Sequence, residues 1–153
     1  MSSGLDNFID SIRKMQPKFS RLYSKVLSQA GLTQPQYVLL LELLQSAPEP
    51  MSMTAISQKL YISKPAVTSL VDRLEKNGFL KRLAHPNDRR VYLLAIQSKG
   101  QKVAKHTQER ILKLILHAAR QFNEKERTII KKFYALLSGS IDEFLLQPKG
   151  TGL

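Results

Sequence analysis

The side chains best suited to chemistry lie between Ser63 and Arg90. Placed on a helix of 3.6 residues per turn, Val67, Leu70, Val71 and Leu74 fall on one side, and Lys64, Pro65, Thr68, Ser69, Asp72 and Arg73 on the other. With Ser63 just before them, these are short hydroxyls that can meet base edges and long cations that can meet phosphates. A lone helix of this composition is equally a solvated surface helix. A second cluster follows it closely: Lys81, Arg82, Arg89 and Arg90 face a single carboxylate, Asp88. Cations packed this densely repel one another unless a polyanion or counter-ions compensate, and a short basic loop suits the negative potential of a minor groove. Asp88 is expected to brace a neighbouring guanidinium by a charge-assisted hydrogen bond. A solvated turn closed by a local Asp hydrogen bond is the alternative.

Other chemistries are thinly represented. With no cysteine in 153 residues, disulfides, thiolate metal sites and thiol redox sensing are excluded. Of the histidines, His106 and His117 would stand about 16 Å apart along a helix, too far to share one ion within a chain. His85 falls in a turn, where phosphate contact or plain solvation suits it. Neither a metal site nor a cofactor is expected. Catalysis needs a nucleophile with its base, paired carboxylates or a phosphate-cradling glycine loop. None of these sets is present, so no catalytic residue is assigned and an enzyme is not expected. Lysine and arginine number 24 against 12 acidic residues, a formal charge of +12. That balance favours a polyanionic partner, nucleic acid first and an anionic membrane surface second. No apolar run approaches the roughly 18 residues of a membrane span, and residues 1–10 lack a signal-peptide pattern, so a cytoplasmic protein with no membrane partner is expected.

These residues need elements to position them, and the length and 42% hydrophobic content fit one core-bearing domain. Phe8, Ile12, Met15, Phe19, Leu22 and Val26 step by three and four and predict a helix over about residues 5–30, kinked or split at Pro17. Thr33 and Gln36 form a capping box opening a second helix. The Pro48 and Pro50 stretch interrupts it, Ser52 caps a short third helix, and residues 61–63 make a tight turn. Ser63 caps the fourth, with Pro65 tolerated in its first turn and Asn77-Gly78 ending it. Strand-like segments 79–84 and 91–96 flank the turn formers of 85–90 and predict a hairpin. Ser98 with Gln101 and Asn123 with Glu126 cap two long helices, to about 122 and 146, and residues 147–153 read as a disordered tail. Two short helices joined by a tight turn and followed by a basic hairpin form the arrangement that sets one helix in a major groove.

The segment 51–100 closely resembles the MarR family of regulators, and the helix order extends the likeness over almost the whole chain. Ser63-Lys64-Pro65-Ala66-Val67-Thr68 through Leu74-Glu75-Lys76-Asn77-Gly78-Phe79-Leu80 looks like the family's recognition helix and its exit into the wing. Pro86-Asn87-Asp88-Arg89-Arg90 looks like its wing motif. The resemblance implies a mainly α fold with a small β-wing: a winged helix-turn-helix lobe at 33–96, flanked by dimerisation helices at 5–30 and 98–146. It implies a homodimer on double-stranded DNA, binding a near-palindromic operator. Ser63, Lys64, Pro65, Thr68, Ser69 and Arg73 match the recognition helix, and Lys81, Arg82, Asp88, Arg89 and Arg90 the wing, with Arg90 in the minor groove and Asp88 orienting it. Phe8, Ile12, Ile130, Phe133, Leu137, Ile141 and Phe144 would dimerise. One departure is visible: the family commonly has Leu-Thr before the helix that follows the wing, and this chain has Ile96-Gln97.

The last helix supports the dimer independently. Ile130, Phe133, Leu137 and Phe144 follow heptad spacing, and Ile129, Leu136, Ile141 and Leu145 widen the stripe. Packing against the first helix of the same chain is the alternative. Family members often release DNA when a small molecule enters the crevice beside the dimer helices. Phe19, Tyr23 and Tyr37 are the aromatic candidates for such an effector pocket, although aromatics at helical spacing also serve as core. Repression is the expected outcome, since occluding a promoter requires only binding. A nonspecific architectural DNA binder, and a winged helix that binds protein or RNA, are the rival readings.

Overall fold

In the computed structural model, residues 4–88 and 90–146 are described. They form six helices and a three-stranded antiparallel sheet, in the order α1 (Gly4–Gln29), α2 (Gln34–Ser46), β1 (Met51–Ser52), α3 (Met53–Leu60), α4 (Lys64–Lys76), β2 (Leu80–Ala84), β3 (Tyr92–Ile96), α5 (Ser98–Ala119) and α6 (Glu124–Leu146). Two compact units divide within α5, one ending at Ile111 and the other beginning at Leu112.

In the first unit the local signals act largely as the sequence suggests. Thr33 and Gln36 close a reciprocal capping box on α2. The Ser52 and Ser63 hydroxyls accept from Ala55 N–H and Ala66 N–H, opening α3 and α4. Gly78, at φ 72°, takes the left-handed conformation that lets the chain leave α4. α1 differs from expectation: it runs through Pro17 as one helix. The proline removes one donor, and the carbonyl it would have satisfied belongs to exposed Arg13, where water can replace it. The first strand has no counterpart in the sequence pattern. Met51 and Ser52 pair with Leu94 and Leu93, so β3 lies in the middle of the order β1-β3-β2.

The core of this unit gathers Leu39, Leu40 and Leu43 of α2, Ile56 of α3, Val67, Val71 and Leu74 of α4, and Leu80 and Leu94 of the sheet, all essentially without solvent contact. α4 is thus fixed on its inner face by three aliphatic side chains, while Leu70 is only half-buried. α5 begins one residue differently from expectation. Ser98 is the first helical residue, and it is Gln97 whose carbonyl accepts from Gln101 N–H while its own N–H donates to Phe79 O. The wing exit and the helix start are therefore tied together at Phe79. Gly100 lies against the same carbonyl so tightly that a Cβ there would stand 2.0 Å from it.

In the second unit Asn123 and Glu126 cap α6 reciprocally, at 3.0 and 2.7 Å. No residue of α6 is buried.

Candidate nucleic-acid interface

α4 presents a polar face whose geometry follows from its buried one. Ser63, Lys64, Pro65, Thr68, Ser69 and Arg73 are all exposed, as the wheel of inward Val67, Val71 and Leu74 requires. The Thr68 hydroxyl donates to Lys64 O at 3.1 Å. What it offers outward is therefore an acceptor lone pair and a methyl group, a pairing suited to an amino group on adenine or cytosine, or to a thymine methyl. α4 is held at its far end by α5: Lys99 Nζ donates to Asn77 O at 2.8 Å while lying 5.1 Å from the centre of the Phe79 ring.

The turn before α4 carries a feature that residue types do not reveal. Tyr61 adopts φ 53° and ψ 36°, a left-handed conformation rare for a bulky side chain. Local hydrogen bonds impose it: Tyr61 N–H donates to Gln58 O, Ile62 N–H to Ser57 O, and the Ser57 hydroxyl returns to Ile62 O at 2.6 Å. A glycine or asparagine there would advertise the turn; a tyrosine conceals it.

In the wing, β2 and β3 pair in register from Leu80↔Ile96 to Ala84↔Tyr92. The connecting turn is closed by His85 N–H to Val91 O, Val91 N–H to Asp88 O, and Asn87 N–H to His85 Nδ1. Lys81 and Arg90 are exposed. Asp88 Oδ1 accepts from Arg90 N–H at 2.9 Å, the local Asp turn, and among the described residues it forms no carboxylate–guanidinium pair. Arg89 lies outside the described residues, as does the 147–153 tail.

Arg82 departs furthest from expectation. Strand alternation puts it on the side of buried Leu80, facing α4. There Nη2 pairs with Asp72 Oδ1 at 2.5 Å, Nη1 pairs with Glu75 Oε2, and Arg82 N–H donates to Glu75 Oε1 at 2.9 Å. It is an ion-paired strut, and its guanidinium is not held out for a phosphate. Partial burial works against its charge, yet the two carboxylates outweigh this and raise its pKa above the ordinary value. The signal is present in the sequence: Asp72 and Glu75 stand three apart, on one side of a helix.

Of the three aromatics considered for an effector, Tyr23 borders a crevice. This space, about 280 Å³, lies between the end of α1 and the start of α2, lined by Ser20, Tyr23, Ser24 and Leu27 with Leu32 and Thr33 among the rest. Tyr37 belongs to the core, and burial, followed by the proximity of Tyr23, raises its pKa. Phe19 is exposed and does not line the crevice. The residues considered for dimerisation, Phe8 and Ile12 on α1 and Phe133, Leu137, Ile141 and Phe144 on α6, are exposed in the single chain; Ile130 is half-buried. Among the described residues there is no group of three His, Asp or Glu side chains able to hold a metal ion, and no helix is long and apolar enough to cross a membrane.

Comparison with known proteins places this geometry among relatives. Residues 32–92 match the sequence model of the MarR family. The chain is similar to the uncharacterized HTH-type transcriptional regulator YsmB of Bacillus subtilis, 25% identical over 122 residues, covering 80% of this chain and 82% of that protein. Its fold is similar to that of a MarR family protein from Bacillus stearothermophilus, with a TM-score of 0.76, 20% identity and coverage of 93% and 98% of the two chains. It is also similar to S. aureus MepR in a complex with DNA, with a TM-score of 0.63, 18% identity and coverage of 82% and 97%.

Proposed function

We propose that this chain, similar to MarR family transcriptional regulators, is a sequence-specific, homodimeric repressor whose two winged lobes bind a near-palindromic duplex. The observation that carries this reading is the exposed face of α4, where hydroxyls and cations stand on the side opposite three fully buried aliphatics. Such a face has one surface fixed rigidly and the other free to enter a groove. The similar MepR structure holds DNA, which supports the same partner here. In this reading Ser63, Lys64, Thr68, Ser69 and Arg73 meet the major groove and its phosphates, Arg90 meets the minor groove, and Arg89 adds to the wing's charge. Lys81 contributes at the backbone. The apolar exposed faces of α1 and α6 form the dimer, so that the flanking helices serve assembly and residues 33–96 serve recognition. Repression requires only occupancy of a promoter. A small molecule in the Tyr23 crevice would favour release, and the protein acts in the cytoplasm without catalysis.

The test is selection of bound duplexes from a random pool at near-physiological salt. An enriched inverted repeat with half-sites about one helical turn apart is expected. Retention of DNA without any enriched motif would favour the architectural reading, which the charge of +12 also allows. No retention would favour a protein or RNA partner.

A further inference from the structure

Arg82 joins the wing to α4. It stands on β2 of the wing, and both of its carboxylate partners stand on α4. The fork geometry is well used: one terminal nitrogen meets Asp72, the other meets Glu75, and the backbone N–H of the same residue takes the remaining oxygen of Glu75. Arg82 is only 24% exposed, and Glu75 is 35% exposed. A guanidinium provides planar, two-pronged binding of this kind and an ammonium does not. Leu80 and Leu94 pack the base of the sheet into the core that holds α4, and Arg82 adds a polar link one step further along the hairpin. Among the described residues β1 and β2 pair with β3 alone, so no further strand lies beside the hairpin on the β2 edge.

We propose that Arg82 is a positioning residue that locks the wing to the recognition helix, and that Asp72 and Glu75 therefore promote DNA binding although their charge opposes it. This rests on the reading of α4 and the wing as a DNA interface. Two expectations then have opposite signs. If Asp72 and Glu75 act only through their charge, removing them from a surface facing a polyanion strengthens binding. If they hold Arg82, removing them lets the wing drift and weakens binding.

The experiment is fluorescence anisotropy of the full chain with two labelled duplexes, the one enriched by selection and one of random sequence, over a range of salt concentrations. Asp72→Asn with Glu75→Gln is expected to weaken binding to the enriched duplex by about tenfold. Arg82→Lys, which keeps the charge and loses the fork, is expected to do the same while leaving the salt slope unchanged. Were Arg82 instead bound to a phosphate, the neutral variant Arg82→Gln would lower the slope by about one per chain. Arg82→Glu with Glu75→Arg, which rebuilds a pair in reverse, is expected to recover part of the loss. Thermal melting of each variant separates a loosened wing from an unfolded chain, and Arg82→Lys keeps the test available should the double variant melt. Tighter binding by the Asp72→Asn, Glu75→Gln variant, or unchanged binding by Arg82→Lys, overturns the proposal. Failure of the unaltered chain to bind either duplex overturns the DNA-binding reading instead.

Discussion

The winged lobe and the last helix spend their apolar residues in opposite ways. In the lobe, Leu39, Leu40, Leu43, Ile56, Val67, Val71, Leu74, Leu80 and Leu94 are sealed from water, and every capping residue that opens α2, α3 and α4 is in place. In α6, Ile129, Leu136, Leu137, Ile141, Phe144 and Leu145 are exposed and nothing is buried. The lobe carries its own core and can set a recognition face to fixed geometry. α6 carries an apolar surface of a kind that a monomer rarely leaves open, so its stability is expected to depend on a second copy.

That contrast can be broken most severely at α6. Leu137→Asp with Ile141→Asp places charge on the exposed apolar face and is expected to convert a dimer to a monomer in sedimentation velocity, with at least a hundredfold loss of affinity for the selected duplex. The far-ultraviolet signal of the lobe should persist. In the lobe itself, Leu74→Ala removes a fully buried side chain that anchors α4. It is expected to cost about 2–5 kcal/mol in urea unfolding, whereas Leu136→Ala on α6 should cost far less at a protein concentration too low for dimers. Gly100→Ala drives a methyl into the Phe79 carbonyl. A loss of about 1–3 kcal/mol is expected from such overpacking, read as a lower melting temperature with α4 still formed. The smallest effect runs the other way. Thr107, 1% exposed, buries a hydroxyl that has no hydrogen-bond partner among the described residues. Thr107→Val is expected to stabilise the first unit by about 1 kcal/mol, measured by the shift of the urea midpoint.

The frame of the lobe is legible in the sequence because its signals are local. A Thr-Gln capping box, serine caps, a proline in a first turn and an Asn-Gly exit each act within a few residues, and all are found where their chemistry puts them. The hydroxyl and cation face of α4 follows from the same helical period. What stays hidden depends on packing between distant parts of the chain. Arg82 reads as one cation among four in a basic wing, and only its pairing with Asp72 and Glu75 turns it inward. Tyr37 fits pocket or core equally well from spacing alone, and the packing of α2 decides for core. β1 is two residues long and has no alternation to detect; it exists because β3 offers it an edge. Pro17 reads as a break because the rule for proline takes no account of water near an exposed turn.

Two copies of the chain, joined through exposed helices, are expected to present two lobes to one duplex. The most direct measurement is sedimentation equilibrium of the chain with the selected duplex and with a duplex cut to a single half-site. Two chains on the full duplex, bound at least a hundredfold more tightly than the half-site, is the result expected. A single chain on each duplex, bound with equal affinity to both, would contradict it.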